Sequence, residues 1–306
     1  MTYKNVIVAG ASGTIGAPIV AALLDSGLFN VSALTRTTSK AIFPLGVAVK
    51  RADLSSRESL VTALRGQDVL ICTLNDEATF LQAGLIEAAF EAGVKRYMPN
   101  EWASHDLNIQ GTPMDEIFEG KKSIIRLLEH KVELAKKEGT VFTWTGLNNG
   151  VFFDWALQAS FLDITLLPTA HAKIWDSGNS KFSTTTLSTV ARAVVAILTT
   201  AEVATRNSLV NIQSFSTSQN EIVAMLEKVV GETWAIENTT TLEQMEIASA
   251  NLENNEFVEA FYIWVRAWMF SGRQEVVLKE WEKDNRLLGV ESQSLEDVIV
   301  QAVGGR

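Results

Sequence analysis

The sequence is poor in the residues that build covalent or metal scaffolds. It has one cysteine, Cys72, so a disulfide framework and a multi-cysteine zinc site are both excluded. Cys72 ends the apolar run Val69-Leu70-Ile71-Cys72 and reads as a small buried hydrophobe rather than a nucleophile. The three histidines, His105, His130 and His171, lie far apart with no metal-ligand spacing, and no metal is expected. No apolar run is long enough to span a bilayer. The longest late stretch, 257–270, is too short and carries Glu259 and Arg266. Basic residues are outnumbered, 26 Lys and Arg against 36 Asp and Glu, for a net charge of −10. That charge repels a phosphate backbone, so nucleic acid is not an expected partner, whereas a local basic pocket for one phosphate is compatible with it. A G-x-S-x-G elbow and a G-x-x-x-x-G-K-[ST] loop are missing, which argues against esterase and nucleotide-hydrolase chemistry. There is no internal repeat and no Pro/Gly-rich linker. The first apolar run, residues 6–9, passes straight into glycines rather than a secretory leader, so a cytoplasmic protein without a membrane partner is expected.

What is present is a large apolar fraction, 47 % of 306 residues, enough for about two domains. The first half alternates short β-type runs with helical patterns. Strands are predicted at 6–9, 31–34, 47–50, 69–73, 97–98 and 141–145. Helices are predicted from the glycine turn to about Asp25, from Ser55 to about Arg65, from Thr79 to Ala92 and from Lys121 to Glu138. Ser55-x-x-Glu58 reads as a capping box. This alternation predicts an α/β fold with a doubly wound parallel sheet. The second half is less regular: a strand at 181–184, a helix at 187–199, a possible returning strand at 209–212, then mostly helix after Ser218. A soft boundary near residue 150 divides a nucleotide-binding domain, 1–150, from a smaller α+β substrate lobe, 151–306, with the chain free to cross back between them.

The first strand runs into Gly10-Ala11-Ser12-Gly13-Thr14-Ile15-Gly16, which opens the first helix. Glycines here let the backbone approach a pyrophosphate, and the helix amino end supplies free N–H groups and a positive dipole. Gly10, Ser12, Gly13, Thr14 and Ile15 are therefore candidate cofactor contacts, although the G-x-x-G-x-x-G spacing differs from G-x-G-x-x-G. Twenty residues past Gly16 stands Arg36, where an NAD site would carry an acid for the ribose diol. A guanidinium suits a 2′-phosphate, and Thr35, Thr37 and Lys40 lie close in sequence, so the expected cofactor is NADPH/NADP+ rather than NADH. Asp53 and Leu54, after the third strand, are expected to meet the adenine. Thr73 and Leu74, at the end of the fourth, are expected along the cofactor at the switch point.

The segments VIVAGASGTIG, ADLSSRESLVTALRGQDVLICTL and AGVKRYMPNEW together resemble NmrA-like, isoflavone-reductase-like proteins, an atypical branch of the short-chain dehydrogenases. FTWTGLNNGVFFDWAL is similar to fungal members of that group. The resemblance is strong over residues 3–155 and weak beyond about 215. It implies a Rossmann domain, NADPH and reduction of enones, benzylic ethers and related aromatic metabolites, with a lysine as general acid or base. That lysine falls in the segment 118–124, where Lys121 is the best match and Lys122 stands one register away. Pro99-Asn100-Glu101-Trp102 matches the family's Pro-Ser-Glu-aromatic segment, with Asn100 as a departure that leaves a hydrogen-bonding side chain at the nicotinamide or substrate; Glu101 reads as a structural partner. The resemblance also puts Gln82 and Asn149 near the cofactor, with Asn149, Val151 and Phe152 in the stretch that meets nicotinamide and substrate.

Independently of the resemblance, residues four after Tyr3, Tyr97 and Tyr262 are Ile7, Glu101 and Arg266, so no Tyr-x-x-x-Lys dyad exists. Lys121 then stands as the proton handler, as nicotinamide proximity and a low-dielectric pocket can bring a lysine towards neutrality. Eight tryptophans are many for this length. Trp102, Trp155 and Trp175, with Phe152 and Phe153, fall where loops should face the nicotinamide. Trp264 and Trp268 share one face of a late helix. Trp102, Asn149, Phe152, Phe153 and Trp175 are the candidate substrate contacts, fit for a flat, apolar, aromatic or conjugated small molecule. The leading expectation is an NADPH-dependent reductase of a carbonyl, enone or quinone in secondary metabolism, monomeric or homodimeric. The alternatives are a dinucleotide-binding redox sensor without turnover and a redox-neutral cyclase or isomerase.

Overall fold

The computed structural model describes residues 3–74, 80–102, 114–272 and 279–304. Thr79, where the third helix was expected to start, and His105 lie outside them. In chain order the elements are β1 (Asn5–Ala9), α1 (Gly16–Asp25), β2 (Asn30–Arg36), β3 (Ala48–Ala52), α2 (Arg57–Leu64), β4 (Val69–Cys72), α3 (Gln82–Glu91), β5 (Arg96–Met98), α4 (Met114–Glu138) and β6 (Thr143–Asn148). There follow β7 (Val151–Phe152), α5 (Phe153–Gln158), β8 (Ile164–Thr165), β9 (His171–Trp175), β10 (Phe182–Thr185), α6 (Leu187–Leu198), β11 (Ser208–Asn211), β12 (Phe215–Thr217), α7 (Gln219–Val230), β13 (Ala235–Thr239), α8 (Thr241–Glu253), α9 (Phe257–Phe270), α10 (Trp281–Leu288) and α11 (Leu295–Gly304). None of the described helices is long and apolar enough to cross a membrane.

Seven strands form one parallel sheet in the order β11-β6-β5-β4-β1-β2-β3. Its central strands β1, from Val6 on, and β4 are unbroken apolar runs because helices cover both faces. Alternation along β1 sends Val6 and Val8 to the face covered by α1 and α6, and Ile7 and Ala9 to the face covered by α2, α3 and α4. Strand order reverses between β1 and β4, which opens a crevice at their carboxyl ends, the usual ligand position in such sheets.

The chain does cross back. After building part of the second lobe it returns through α6, which packs on the α1 side of the sheet, and adds β11 beside β6. The remaining strands form two three-stranded sheets, β12-β10-β7 and β13-β9-β8, around a separate apolar core with α5, α7, α9 and α11. The return is locked by buried charge. Arg96 on β5 reaches Glu202 Oε1 at 3.1 Å, Thr143 Oγ1 at 2.8 Å and Thr145 Oγ1 at 2.6 Å, while Tyr3 donates to Glu202 at 2.7 Å. Burial pushes the Tyr3 phenol up to about 12.

Two local expectations shift by a residue or more. The α2 cap is Ser56, whose hydroxyl accepts from Ser59 N; Ser55 instead donates to Asp53. The sixth strand begins at Thr143 rather than 141 and runs on to Asn148, because pairing with β5 starts at Arg96↔Thr143 and pairing with β11 lasts to Asn211↔Asn148.

Candidate active site

The glycine turn between β1 and α1 is fixed by close packing against the end of β4. Gly10 has φ +85°, and a Cβ there would lie 2.2 Å from the Thr73 carbonyl oxygen. At Gly16 a Cβ would lie 2.2 Å from the Gly10 carbonyl oxygen. Thr73 closes the contact from its side, its Oγ1 donating to Ala9 O at 2.8 Å. Ser12, Gly13 and Thr14 are exposed on this turn, and Ile15, the α1 N-cap, is buried beneath it. The helix start has no side-chain cap and no acidic residue in its first turn. A helix amino end left this way keeps unsatisfied N–H groups and positive potential for an anion.

Arg36 ends β2 with its side chain exposed, and Thr37 and Lys40 beside it are exposed too. Arg51, which sequence reasoning did not single out, pairs in register with Thr35 on edge strand β3. Its Nη1 donates to Ser39 O at 2.8 Å, holding the loop after Arg36. The signal was available: once β3 is placed parallel to β2, Arg51 falls opposite Thr35. Thr35 is buried, and its Oγ1 has no hydrogen-bond partner among the described residues. Asp53 accepts from the Ser55 hydroxyl and backbone, and those bonds hold its carboxyl below the ordinary range. Leu54 is half-buried against the apolar layer beneath.

Across the crevice the segment 99–102 is tied down twice. Gln82 Oε1 accepts from Asn100 N at 2.6 Å, and Trp102 Nε1 donates to Cys72 O at 2.8 Å. Both side chains are buried: Gln82 is engaged by the Asn100 backbone, and Trp102 is tied to β4. Glu101, between them, is fully buried. Its Oε2 lies 3.8 Å from Nζ of Lys121 on α4. Lys122 is exposed. The two lysines are thus told apart by geometry: Lys121 faces the crevice segment, and Lys122 faces water.

Asn149, after β6, is buried. Its Nδ2 donates to Gly150 O at 2.8 Å and its backbone carbonyl accepts from Thr185 Oγ1 at 2.7 Å. Its Oδ1 has no partner among the described residues. Gly150 has φ +61°, and a Cβ there would lie 2.3 Å from Ser183 O, so β7 can approach β10 only through a glycine. Phe152 and Trp155 are partly exposed beyond this turn.

Two aromatic candidates for the substrate site are buried away from it in the second lobe. Trp175 is completely buried in the core of the second lobe, its ring 5.6 Å from that of Phe270 and its Nε1 donating to Asp163 at 2.7 Å. Phe153 is equally buried, packed edge-on against Phe215 at 5.0 Å. Both rings belong to the apolar core of the second lobe, although local sequence placed them beside loops. Trp264 and Trp268 belong to the same core.

A seven-stranded doubly wound sheet with a glycine turn at its switch point defines a dinucleotide-binding Rossmann-type fold. The NmrA-like family model matches residues 2–262, and the chain belongs to that family. Among curated relatives, oxidoreductase aprR of Aspergillus flavus is 31 % identical over the whole of both chains. Oxidoreductase poxI of Penicillium oxalicum is 30 % identical over 96 % of this chain and 92 % of its own length. In three dimensions the chain is similar to an isoflavone reductase, with TM-score 0.76 at 24 % identity, covering 99 % of this chain and 100 % of that one. It is also similar to the leucoanthocyanidin reductase of Vitis vinifera, at TM-score 0.80 and 19 % identity, covering 97 % of this chain and 98 % of that one.

Proposed function

We propose that this chain is an NADPH-dependent reductase of an aromatic or conjugated carbonyl, enone or quinone-type small molecule. The observation that carries the reading is the turn 10–16, whose glycines are enforced by Thr73 and which presents an uncapped, acid-free helix end at the switch point. The residues present fit the dinucleotide. Gly10, Ser12, Gly13, Thr14 and Ile15 would hold the pyrophosphate, Arg36 and Arg51 the 2′-phosphate, and Asp53 with Leu54 the adenine. Thr73 and Leu74 would run along its length to Asn100 and Asn149 at the nicotinamide end. The buried, unpartnered Oδ1 of Asn149 suits a carboxamide donor. The oxidoreductase names of the full-length fungal relatives support the reaction class. The Vitis vinifera neighbour is also described in a binary complex with NADPH, which supports the choice of nucleotide.

When bound, NADPH supplies a hydride. The protein's own part is to exclude water with the second lobe, to orient a flat substrate against Phe152 and Trp155, and to hold a proton at Lys121 Nζ for the substrate oxygen as its charge develops. In this reading residues 1–150, with the returning α6 and β11, form the nucleotide unit, and the rest forms the substrate lobe. Parallel calorimetric titrations test it. Micromolar NADPH binding with NADH at least ~10-fold weaker, about 1.4 kcal/mol, is expected. Lys121→Ala should leave NADPH affinity within twofold yet lower quinone turnover about 100-fold, with Lys122→Ala near wild type. Binding of neither nucleotide, or full turnover by the Lys121 variant, refutes it.

A further inference from the structure

The geometry points to Thr35 as a specificity-determining residue of the nucleotide site, its buried hydroxyl reserved for the 2′-phosphate that distinguishes NADPH from NADH. This rests on the dinucleotide reading above and adds to it a neutral donor beside the exposed cations. Thr35 is 8 % exposed, and its Oγ1 is buried with no hydrogen-bond partner among the described residues. A hydroxyl left in that state is a net cost to folding, and its persistence calls for a partner from outside the chain. The strand register fixes where it stands. Ala9 pairs with Leu34, so Thr35 comes alongside Gly10, the first glycine of the turn, and Arg36 follows it. Ala33 belongs to the core under α1 and Leu34 to the core on the opposite face, so Thr35 is the last side chain of β2 on the α1 face. It therefore stands between the turn that would take the pyrophosphate and the exposed Arg36, Thr37 and Lys40, where an adenosine ribose with its 2′-phosphate has to pass.

The neighbouring polar groups are engaged elsewhere. Arg51 Nη1 donates to Ser39 O at 2.8 Å, which ties the loop after Arg36 to β3. Asp53, next to the register partner of Arg36, accepts from the hydroxyl and the N–H of Ser55. A second buried atom without a partner, Asn149 Oδ1, lies just past β6. β2 and β6 are four strand spacings apart, about 19 Å, so the two atoms bracket the crevice as the ends of an extended dinucleotide would. Guanidinium and ammonium groups on an exposed rim attract any anion and are screened by salt. A hydroxyl at a fixed depth instead adds one directed, charge-assisted bond to a phosphate oxygen. With no acceptor holding it inward, rotation about χ1 to another staggered position turns Oγ1 to the rim while the backbone stays paired with β3.

Calorimetric titration of the full chain with NADPH, NADH and adenosine 2′,5′-bisphosphate, in wild type, Thr35→Val and Thr35→Ser, tests this. Thr35→Val keeps the shape and removes the hydroxyl. It should weaken NADPH and the bisphosphate about tenfold or more, the effect of one hydrogen bond to a charged group, and leave NADH within about twofold. Thr35→Ser restores the hydroxyl and should bind NADPH within about threefold of wild type. Thermal unfolding without nucleotide gives a readout that a structural role would move the other way. Losing an unsatisfied hydroxyl should leave the Thr35→Val midpoint equal to that of wild type or up to about 4 °C above it. Unchanged NADPH binding by Thr35→Val overturns the proposal. So does an equal loss for NADH, which marks the ribose rather than the phosphate, and so does a lowered midpoint or a failure to fold, which marks a structural hydroxyl. If wild type binds neither NADPH nor the bisphosphate, the nucleotide reading falls and the proposal with it. Wild-type binding of both with an indifferent valine variant strikes the proposal alone.

Discussion

Replacing Glu202 by Gln probes the buried network that ties the returning chain to the sheet. The carboxylate is almost fully buried and meets Arg96 at 3.1 Å, Tyr3 at 2.7 Å and both guanidinium arms of Arg206 at 2.8 and 2.9 Å. Burial alone would raise its carboxyl, but hydrogen bonds from Arg206 and Tyr3 outweigh it and hold the group down at about 2 against an ordinary 4.5. A drop of that size corresponds to about 3 kcal/mol of folding free energy. Because the folded value is depressed, this contribution is complete above about pH 4.5 and is lost as pH falls towards 2. Glu202→Gln should therefore cost about 3 kcal/mol in urea denaturation at pH 7, a value in line with stranding the buried Arg96 guanidinium. At pH 3 the penalty should shrink by roughly half, since the wild type is by then losing the same term. Equal penalties at pH 7 and pH 3, or a loss under 1 kcal/mol at pH 7, would refute the reasoning. The network also matters for the site, because β5 and β6 run directly into Asn100–Glu101 and Asn149.

Gly16→Ala drives a methyl to within 2.2 Å of a backbone oxygen, so the turn must open. Overpacking of this kind costs about 1–3 kcal/mol, and the distorted cradle should weaken NADPH at least tenfold by calorimetry, whereas unchanged binding would place the nucleotide elsewhere. Trp175→Phe removes the indole bond to Asp163, whose carboxylate keeps Arg266 at 2.9 Å. A loss of about 2 kcal/mol in stability is expected, with no effect on NADPH affinity or on quinone KM. A raised KM would return Trp175 to the substrate pocket.

The nucleotide half was legible because its signals are local. Buried parallel strands read as unbroken apolar runs, and a glycine turn between strand and helix is a short motif with one geometric use. The bare Lys121-Lys122 pair left its register open, and the apolar stripe of the helix that carries it bears on it. Among the described residues of α4 the buried apolar ones are Ile124, Ile125, Leu128, Val132 and Ala135, and Lys121 stands three before the first and four before the second. Extending that stripe by one turn puts Lys121 on the inner face and Lys122 off it. The aromatic lobe was not legible, for the opposite reason. Trp175 and Phe153 are adjacent to loops in sequence; the pairing of β9 with β13 and the Phe270 ring on α9 enclose the first, and the Phe215 ring on β12 packs on the second. Trp102 shows the same limit inside the well-read half, because its indole is committed by a carbonyl at Cys72, thirty residues upstream. Residues whose role depends on the backbone around them could be named from the chain, and those whose role depends on what lands on top of them could not. Glu101 spans both cases: its motif marks it, but its buried contact with Lys121 exists only once α4 has packed across β5 and β6.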